Sequence, residues 1–210
     1  MDVRDLLPDV LVEAPEVPDF AAEAALARSA REFCRRSLAW RQDLEPLDLE
    51  RAEAEYELDP PAGAEVADLL SVTYRNRPLD KTTTGRLDAQ SPGWRTAGGN
   101  PTAFTRRGIN GVILDKMPPK FDLEAVQFHA ALMPARGTYE VDELVMHEFE
   151  QGISAGAMYY LFKIPGKVWT DNGLAAAYLT QFDAAIAEAK SRAADGFMTG
   201  VARTIRYGGY

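Results

Sequence analysis

The period at which apolar residues recur changes twice along this chain. Over residues 19–40, and again over residues 140–195, apolar residues recur every three to four positions, as on one face of an amphipathic helix. Over residues 41–139 they alternate with polar residues instead, and turns rich in Gly and Pro separate the runs. We therefore predict an α+β fold, in which a long N-terminal helix and a C-terminal helical hairpin form a helical body with an inserted small antiparallel β lobe.

Three segments do not follow either period. Residues 1–18 are acidic and interrupted by prolines, which predicts a short helical turn followed by an extended arm. Residues 80–99 contain three consecutive threonines and few large apolar residues, which indicates a long loop. Residues 196–210 combine Gly, Arg and Tyr without a capped helical pattern, so we predict an extended C-terminal tail.

Length and composition favour an ordinary globular protein. The 210 residues fit one compact domain, and 46% hydrophobic residues suffice for a core. Cys34 is the single cysteine, so no intramolecular disulfide can form and we expect a reducing compartment, with Cys34 as a small core residue. Because no run of about 18 apolar residues occurs, and aspartates and a proline interrupt the first twelve positions, we expect neither a membrane span nor secretion.

The negative charge is concentrated near the N-terminus. Residues 1–60 carry a net charge of −9, whereas residues 61–210 carry a net charge of zero. A protein that reads nucleic acid normally presents a basic field to the phosphates. The charge of this chain therefore disfavours sequence-specific DNA recognition.

One stretch matches a catalytic motif. Gly152-Ile153-Ser154-Ala155-Gly156 has the G-x-S-x-G pattern of hydrolases, in which a strand and a sharp turn expose the serine. Here the serine lies within a helical pattern, and His147 on the same helix is about 10 Å away along the axis, too far to act as its base. Two glycines four residues apart are better explained by close helix packing. We predict no catalytic residue, and a serine hydrolase-like enzyme using Ser154 is the alternative.

The chain lacks the spacing of a metal or phosphate site. His147-Glu148 begins like the zinc motif H-E-x-x-H, but Gln151 stands where the second histidine is required. The run Gly98-Gly99 is not followed by the Lys-Ser/Thr pair of a phosphate loop. We therefore expect no metal and no cofactor.

Two sets of basic and aromatic residues are candidates for contacts with other chains. The first is a stripe of arginines on the polar side of the first long helix, which is either a solvated face or a ridge for an acidic neighbour, such as another copy's N-terminal arm. The second lies in the tail, which has too little apolar surface to fold alone but can stack and pair on a partner. The candidate interface residues are Arg28, Arg31, Arg35, Arg203, Arg206, Tyr207 and Tyr210.

The order of elements resembles the head-to-tail adaptor proteins of tailed bacteriophages, the connector or tail tubular protein A-like group. Residues 30–40, which end in a basic and aromatic run, look like the end of that group's first long helix. Residues 56–66 are similar to its unit of strand, proline-glycine turn and strand. Residues 152–157, 164–169 and 174–189 are similar to its C-terminal helical hairpin and the turn within it.

This resemblance implies a structural protein rather than an enzyme. It implies a twelve-fold ring in the virion at the neck and tail junction, with the phage portal above, a downstream tail or nozzle protein below, and genomic DNA passing through without sequence recognition. Assembly would take place in the host cytoplasm, with no membrane involved. A small cytosolic binding module that stays monomeric is a further alternative.

Overall fold

The computed structural model describes residues 1–197, which contain five α-helices and two four-stranded sheets. The helices are α1 (Leu7–Glu13), α2 (Asp19–Ser37), α3 (Thr84–Gln90), α4 (Glu143–Phe162) and α5 (Asn172–Ala194). Two short 3-10 turns span Val3–Leu6 and Trp94–Thr96. The strands are β1 (Arg41–Leu49), β2 (Glu55–Glu57), β3 (Ala64–Tyr74), β4 (Arg77–Pro78), β5 (Asp80–Lys81), β6 (Ala103–Arg107), β7 (Gly111–Leu114) and β8 (Asp122–Pro134).

The long strand β8 is the centre of the first sheet, whose strand order is β1-β8-β3-β4 with every pair antiparallel. β3 pairs with one side of β8, from Ala64 opposite Pro134 to Tyr74 opposite Val126, and β1 pairs with the other side. The second sheet has the order β2-β7-β6-β5, in which only β5 and β6 run parallel. β1 and β2 are therefore edge strands of two different sheets.

The prediction of a helical body with a small inserted β lobe is wrong. α2 packs against β8 and β3, and one continuous core includes side chains from the helices and from both sheets. Ala130, Ala131 and Leu132 of β8 are each 0% exposed, so this strand is covered on both faces. A continuous apolar run of this kind is typical of a strand inside a core. The first sheet is thus a layer of the main core and not a separate lobe.

The prediction of an extended arm over residues 1–18 is also wrong. This segment forms a 3-10 turn and α1, and Val3, Leu6 and Val10 are buried at helical spacing. The Val3 amide donates to the Tyr139 carbonyl at 2.8 Å, which fixes the segment to the chain just before α4. The prolines do not prevent this, because one of them occupies the first turn of α1, where no amide hydrogen is needed.

The segment 80–99 is more ordered than a long loop. Its threonines precede α3, and the Thr83 hydroxyl caps that helix by accepting a hydrogen bond from the Arg86 amide at 3.3 Å. Leu87 and Trp94 are buried and form a small apolar cluster with Ile113 of the second sheet. These apolar side chains pack the segment onto the second sheet, and the pairing of β5 with β6 holds its start.

α4 and α5 form an antiparallel hairpin. Glu148 near the start of α4 pairs with Arg192 near the end of α5, with 2.6 Å between oxygen and nitrogen. At the opposite end of the hairpin, the rings of Phe162 and Tyr178 stack with centroids 5.7 Å apart. The Asp171 carboxylate caps α5 by accepting hydrogen bonds from two backbone amides at 2.8 and 2.9 Å.

Two glycines allow α4 to approach its neighbouring helices closely. A Cβ atom on Gly152 would lie 2.5 Å from the Cβ atom of Ala185 in α5. A Cβ atom on Gly156 would lie 2.6 Å from Cε2 of Phe182 and would overlap Oγ of Ser29 in α2. The G-x-S-x-G pattern therefore marks a three-helix contact.

We expect Gly156→Ala to lower the free energy of unfolding by about 2 kcal/mol, because overpacking a tight core forces side chains and helices apart. Gly85→Ala in α3 is the matched control, since no atom of the described residues outside its own stretch of helix lies within 4 Å of the added Cβ. The control should not destabilise and should raise the free energy of unfolding by at most about 1 kcal/mol, because alanine is the better helix former. Urea denaturation followed by circular dichroism measures both, and equal effects would contradict the packing role of Gly156.

Arg31 joins α2 to the first sheet. Its guanidinium pairs with the Glu65 carboxylate of β3 at 2.6 Å and donates to the Pro134 carbonyl at the end of β8. The side chains of Arg31 and Glu65 are 23% and 17% exposed, so water screens this pair only partly. The ion pair fixes the helix at one position along both strands.

We expect Arg31→Met to lower the free energy of unfolding by about 2 kcal/mol, because it leaves the Glu65 carboxylate half-buried and unpaired. Arg35→Met, one turn later, removes only an exposed pair with Glu32 and should cost less than about 0.5 kcal/mol. Denaturant midpoints of the two variants compare them directly. A larger loss for Arg35→Met would refute the assignment of Arg31 as the structural link.

Candidate functional site and assembly surfaces

The predicted arginine stripe on α2 is engaged within the chain. The Arg28 guanidinium lies 4.2 Å from the centroid of the Tyr160 ring, and Arg31 makes the contacts to the sheet described above. Arg35 forms two hydrogen bonds to the Glu32 carboxylate, at 2.7 and 3.0 Å, and these bonds lower the pKa of Glu32. Arg28 and Arg35 are exposed, so docking of an acidic neighbour on this stripe stays a prediction.

The predicted tail contacts lie beyond the described residues. Phe197 is the last described residue, and its amide donates to the Arg192 carbonyl at 2.8 Å while its ring lies 5.9 Å from the Arg192 guanidinium. The segment that follows therefore starts from the end of α5. The candidate residues in it are Arg203, Arg206, Tyr207 and Tyr210.

Ser154 lies in the middle of α4, without the strand and turn of a hydrolase elbow. It is half-buried and lines a groove of about 460 Å3 between α1, α4 and α5. The other polar side chains that line this groove are carboxylates, amides and the Tyr178 phenol, and none of the described lining residues is a histidine. The groove thus gives the Ser154 hydroxyl no imidazole base.

Both histidines have carboxylate neighbours away from Ser154. His147 is exposed, with Nε2 at 3.6 Å from the Glu143 carboxylate one turn earlier on α4. His129 lies on β8, and its Nδ1 is 2.7 Å from the Asp43 carboxylate of β1. Neither pair includes a nucleophile, and within residues 1–197 no three His, Cys, Asp or Glu side chains come together in a way that could hold a metal ion.

Exposed carboxylates line the two edge strands β1 and β2 and the turn between them. The three alternating glutamates at positions 53, 55 and 57 are exposed, as a solvated strand face requires. The sequence pattern does not reveal β1 as a separate strand, because a register shift between Leu44 and Leu47 breaks its alternation. The exposed acidic residues in this region are Asp43, Glu45, Asp48, Glu50, Glu53, Glu55, Glu57 and Asp59.

β1 presents these charges on an edge that is blocked against strand addition. Pro46 has no amide hydrogen, and the irregular register on both sides of Leu47 bends the strand. Charged residues and proline are features that keep an edge strand from pairing with another chain. The β1 edge therefore offers carboxylate side chains to a partner rather than a backbone ladder.

Large apolar side chains are exposed at several other places, among them Val12 of α1, which is 82% exposed. Val168 is 81% exposed in the connection between α4 and α5, and Leu123 is 66% exposed at the start of β8, next to the half-exposed Phe121. Beside Val168, the indole Nε1 of Trp169 is buried without a hydrogen-bond partner among the described residues. Exposed apolar groups on turns and strand ends are suited to contacts with other chains.

No helix within residues 1–197 combines the length and the apolar character that crossing a bilayer requires.

The search of curated proteins gave no match to this sequence. The chain does match the family described as SU10 adaptor protein, over residues 1–204. This match covers the helices, both sheets and most of the segment after α5, and it confirms the resemblance to head-to-tail adaptors. The chain belongs to the SU10 adaptor protein family, a family of phage head-to-tail adaptors, and is a structural adaptor protein of a bacteriophage virion.

Proposed function

We propose that copies of this chain form a ring of about twelve subunits between the phage portal and a downstream tail or nozzle protein. The observation that carries the proposal is the family match over residues 1–204. The ring assembles in the host cytoplasm and remains in the virion at the junction of neck and tail. Genomic DNA passes through its lumen.

The distribution of exposed side chains supports a subunit with several partners. A ring subunit contacts its two neighbours and, at either end of the ring, a different protein. The chain has exposed apolar residues in separate regions, including the α4–α5 connection at Val168 and the start of β8 at Leu123, and a carboxylate-rich edge on β1. These surfaces are distinct, as contacts with different neighbours require.

The net charge of −9 suits a channel through which DNA moves. Phosphates bind proteins mainly through Lys and Arg, which displace counterions from the DNA. A lumen rich in carboxylates repels phosphate, so DNA passes without adhering. A lumen lined chiefly by Arg and Lys would contradict this part of the proposal.

The segment after Phe197 binds the portal. It contains Arg203 and Arg206 and no acidic residue, and it adds two tyrosines that can stack on a partner. It follows α5, whose end is fixed to α4 by the ion pair between Arg192 and Glu148. The folded body can therefore present this segment at a defined position.

We expect the purified chain, mixed with the portal of its phage, to form rings on one end of the portal. Negative-stain electron microscopy of the mixture shows them directly, and mass photometry gives the number of subunits added. Free chain without portal is the control, and it need not form rings. A chain that stays monomeric beside the portal would refute the proposal and favour the small binding module.

We expect removal of residues 198–210 to weaken portal attachment at least about tenfold, because the cationic and aromatic contacts are lost. Phe197 is kept, since it contacts Arg192 in the folded body. The denaturation midpoint should not change, which shows that the body is intact. Binding is measured by co-sedimentation with the portal, and unchanged attachment would contradict the role of this segment.

A further inference from the structure

A cationic groove of about 610 Å3 lies where the end of α2, the start of β3, the turn between β6 and β7, and α5 meet. Its lining has four basic side chains and one carboxylate, a net charge of +3. Two of these arginines already have carboxylate partners, which are half-buried Glu32 one turn earlier on α2 and exposed Asp183 on α5. The basic residues are Arg35, Arg36, Arg106 and Lys190.

Arg106 places its charge in this groove, and within residues 1–197 it has no ion pair with a carboxylate. Its guanidinium donates to the backbone carbonyls of Val66, Ala67 and Ile109, which are the hydrogen bonds that the structure gives it. Asp68 is near enough to favour the charged form, but its carboxylate binds Lys81 at 2.7 Å. Burial lowers the pKa of Arg106, although a guanidinium stays charged at any physiological pH. The groove therefore holds a half-buried positive charge that an acidic partner would neutralise.

The groove is suited to a protein segment rather than to DNA. Beside its basic side chains the groove offers apolar surface from Ile109, which is 50% exposed, and from half-buried Leu38. Protein interfaces combine apolar and polar contact area in this way. Contacts to the phosphates of DNA come mainly from polar and charged groups, so they would leave these apolar residues unused.

The acidic β1 edge lies on the opposite side of the first sheet. β1 and β3 flank β8 on its two sides, and β3 lines the groove whereas β1 carries the exposed carboxylates. Two complementary surfaces on opposite sides of one chain are what a head-to-tail contact in a ring requires. The carboxylates of β2 lie on the groove side, since the Leu58 amide binds the Asn110 carbonyl in the turn beside the groove at 2.8 Å.

We infer that the cationic groove of one copy receives the acidic β1 edge of the next copy around the ring. The inference rests on the proposed ring and names the surfaces that form its subunit contact. Charge complementarity selects the occupant, because the edge presents four exposed carboxylates to a groove of net positive charge. These carboxylates are Asp43, Glu45, Asp48 and Glu50.

Two variants with reversed charge test this contact. The groove variant carries Arg35→Glu and Lys190→Glu, and the edge variant carries Glu45→Lys and Glu50→Lys, all at exposed positions. The groove variant alone sets a groove of net charge −1 against an edge of −4, and the edge variant alone gives the edge a net charge of zero, so each should reduce the ring fraction on the portal at least about tenfold. An equimolar mixture should restore part of it, because in an alternating ring every second contact joins the unaltered groove to the unaltered edge.

A control variant separates this contact from net charge. Glu16→Lys with Glu150→Lys changes the net charge as much as the edge variant does, at exposed positions before α2 and on α4, and should assemble as wild type does. Wild type without rings on the portal would refute the proposed function and this inference together. With wild-type rings present, normal assembly of either variant, or failure of the mixture, would refute the inference alone.

Cross-linking gives an independent readout. Cys34 is the only cysteine, and it is 0% exposed, so a maleimide reagent reacts with introduced cysteines and not with Cys34. Glu45→Cys with Lys190→Cys should give a ladder of linked copies with a short bismaleimide on assembled rings, and Glu45→Cys with Glu150→Cys should not. If the groove variant instead forms rings with the normal number of subunits, but these rings retain less DNA than wild-type rings, the groove binds DNA and the inference is overturned.

Discussion

The close approach of α4 to α2 and α5 determines where the other layers of this protein can lie. Glycine at positions 152 and 156 lets side chains of α2 and α5 pack directly against the backbone of α4, where buried Ser29 donates to the Ile153 carbonyl at 2.6 Å. The three helices then enclose the aromatic rings of one cluster, in which Phe33 lies 5.4 Å from Phe149 and 6.3 Å from Phe182. The other side of α2 is thereby directed toward the first sheet, where Arg31 fixes its position.

The two sheets are joined by side chains at the part of the β3 edge that β4 leaves unpaired. The Arg106 guanidinium donates to two carbonyls of β3, the Asn110 side chain accepts from the Val66 amide at 3.1 Å, and Lys81 donates to the Leu69 carbonyl at 3.1 Å. Backbone groups of β3 that could otherwise pair with a strand of another chain therefore form hydrogen bonds within this chain. The same side chains create the cationic groove, so closing one sheet edge also shapes the surface that we propose for subunit contact.

The stretch that looked most like a catalytic motif is explained by packing. Glycines four residues apart lie on one face of a helix, and in α4 that face meets α2 and α5. Ser154 lies two residues from each glycine. It lines a groove that has no histidine among its described lining residues. A short motif has catalytic meaning only in the backbone geometry that its chemistry needs, and a helix interior does not supply the turn of a nucleophile elbow.

The sequence alone determined the long helices α2, α4 and α5, because apolar side chains that recur with the helical period must share one buried face. It also carried the resemblance to phage adaptors, which depends on the order of elements along the chain. It did not reveal that residues 1–18 fold back onto the core, that β1 is a separate strand, or that the first sheet is a core layer. Those features depend on partners distant in sequence: Val3 bonds to Tyr139, and β1 pairs with β8 across a bulge at Pro46. Local periodicity records which face of an element is apolar, whereas only the tertiary structure decides which distant element covers that face and which charged edge stays exposed.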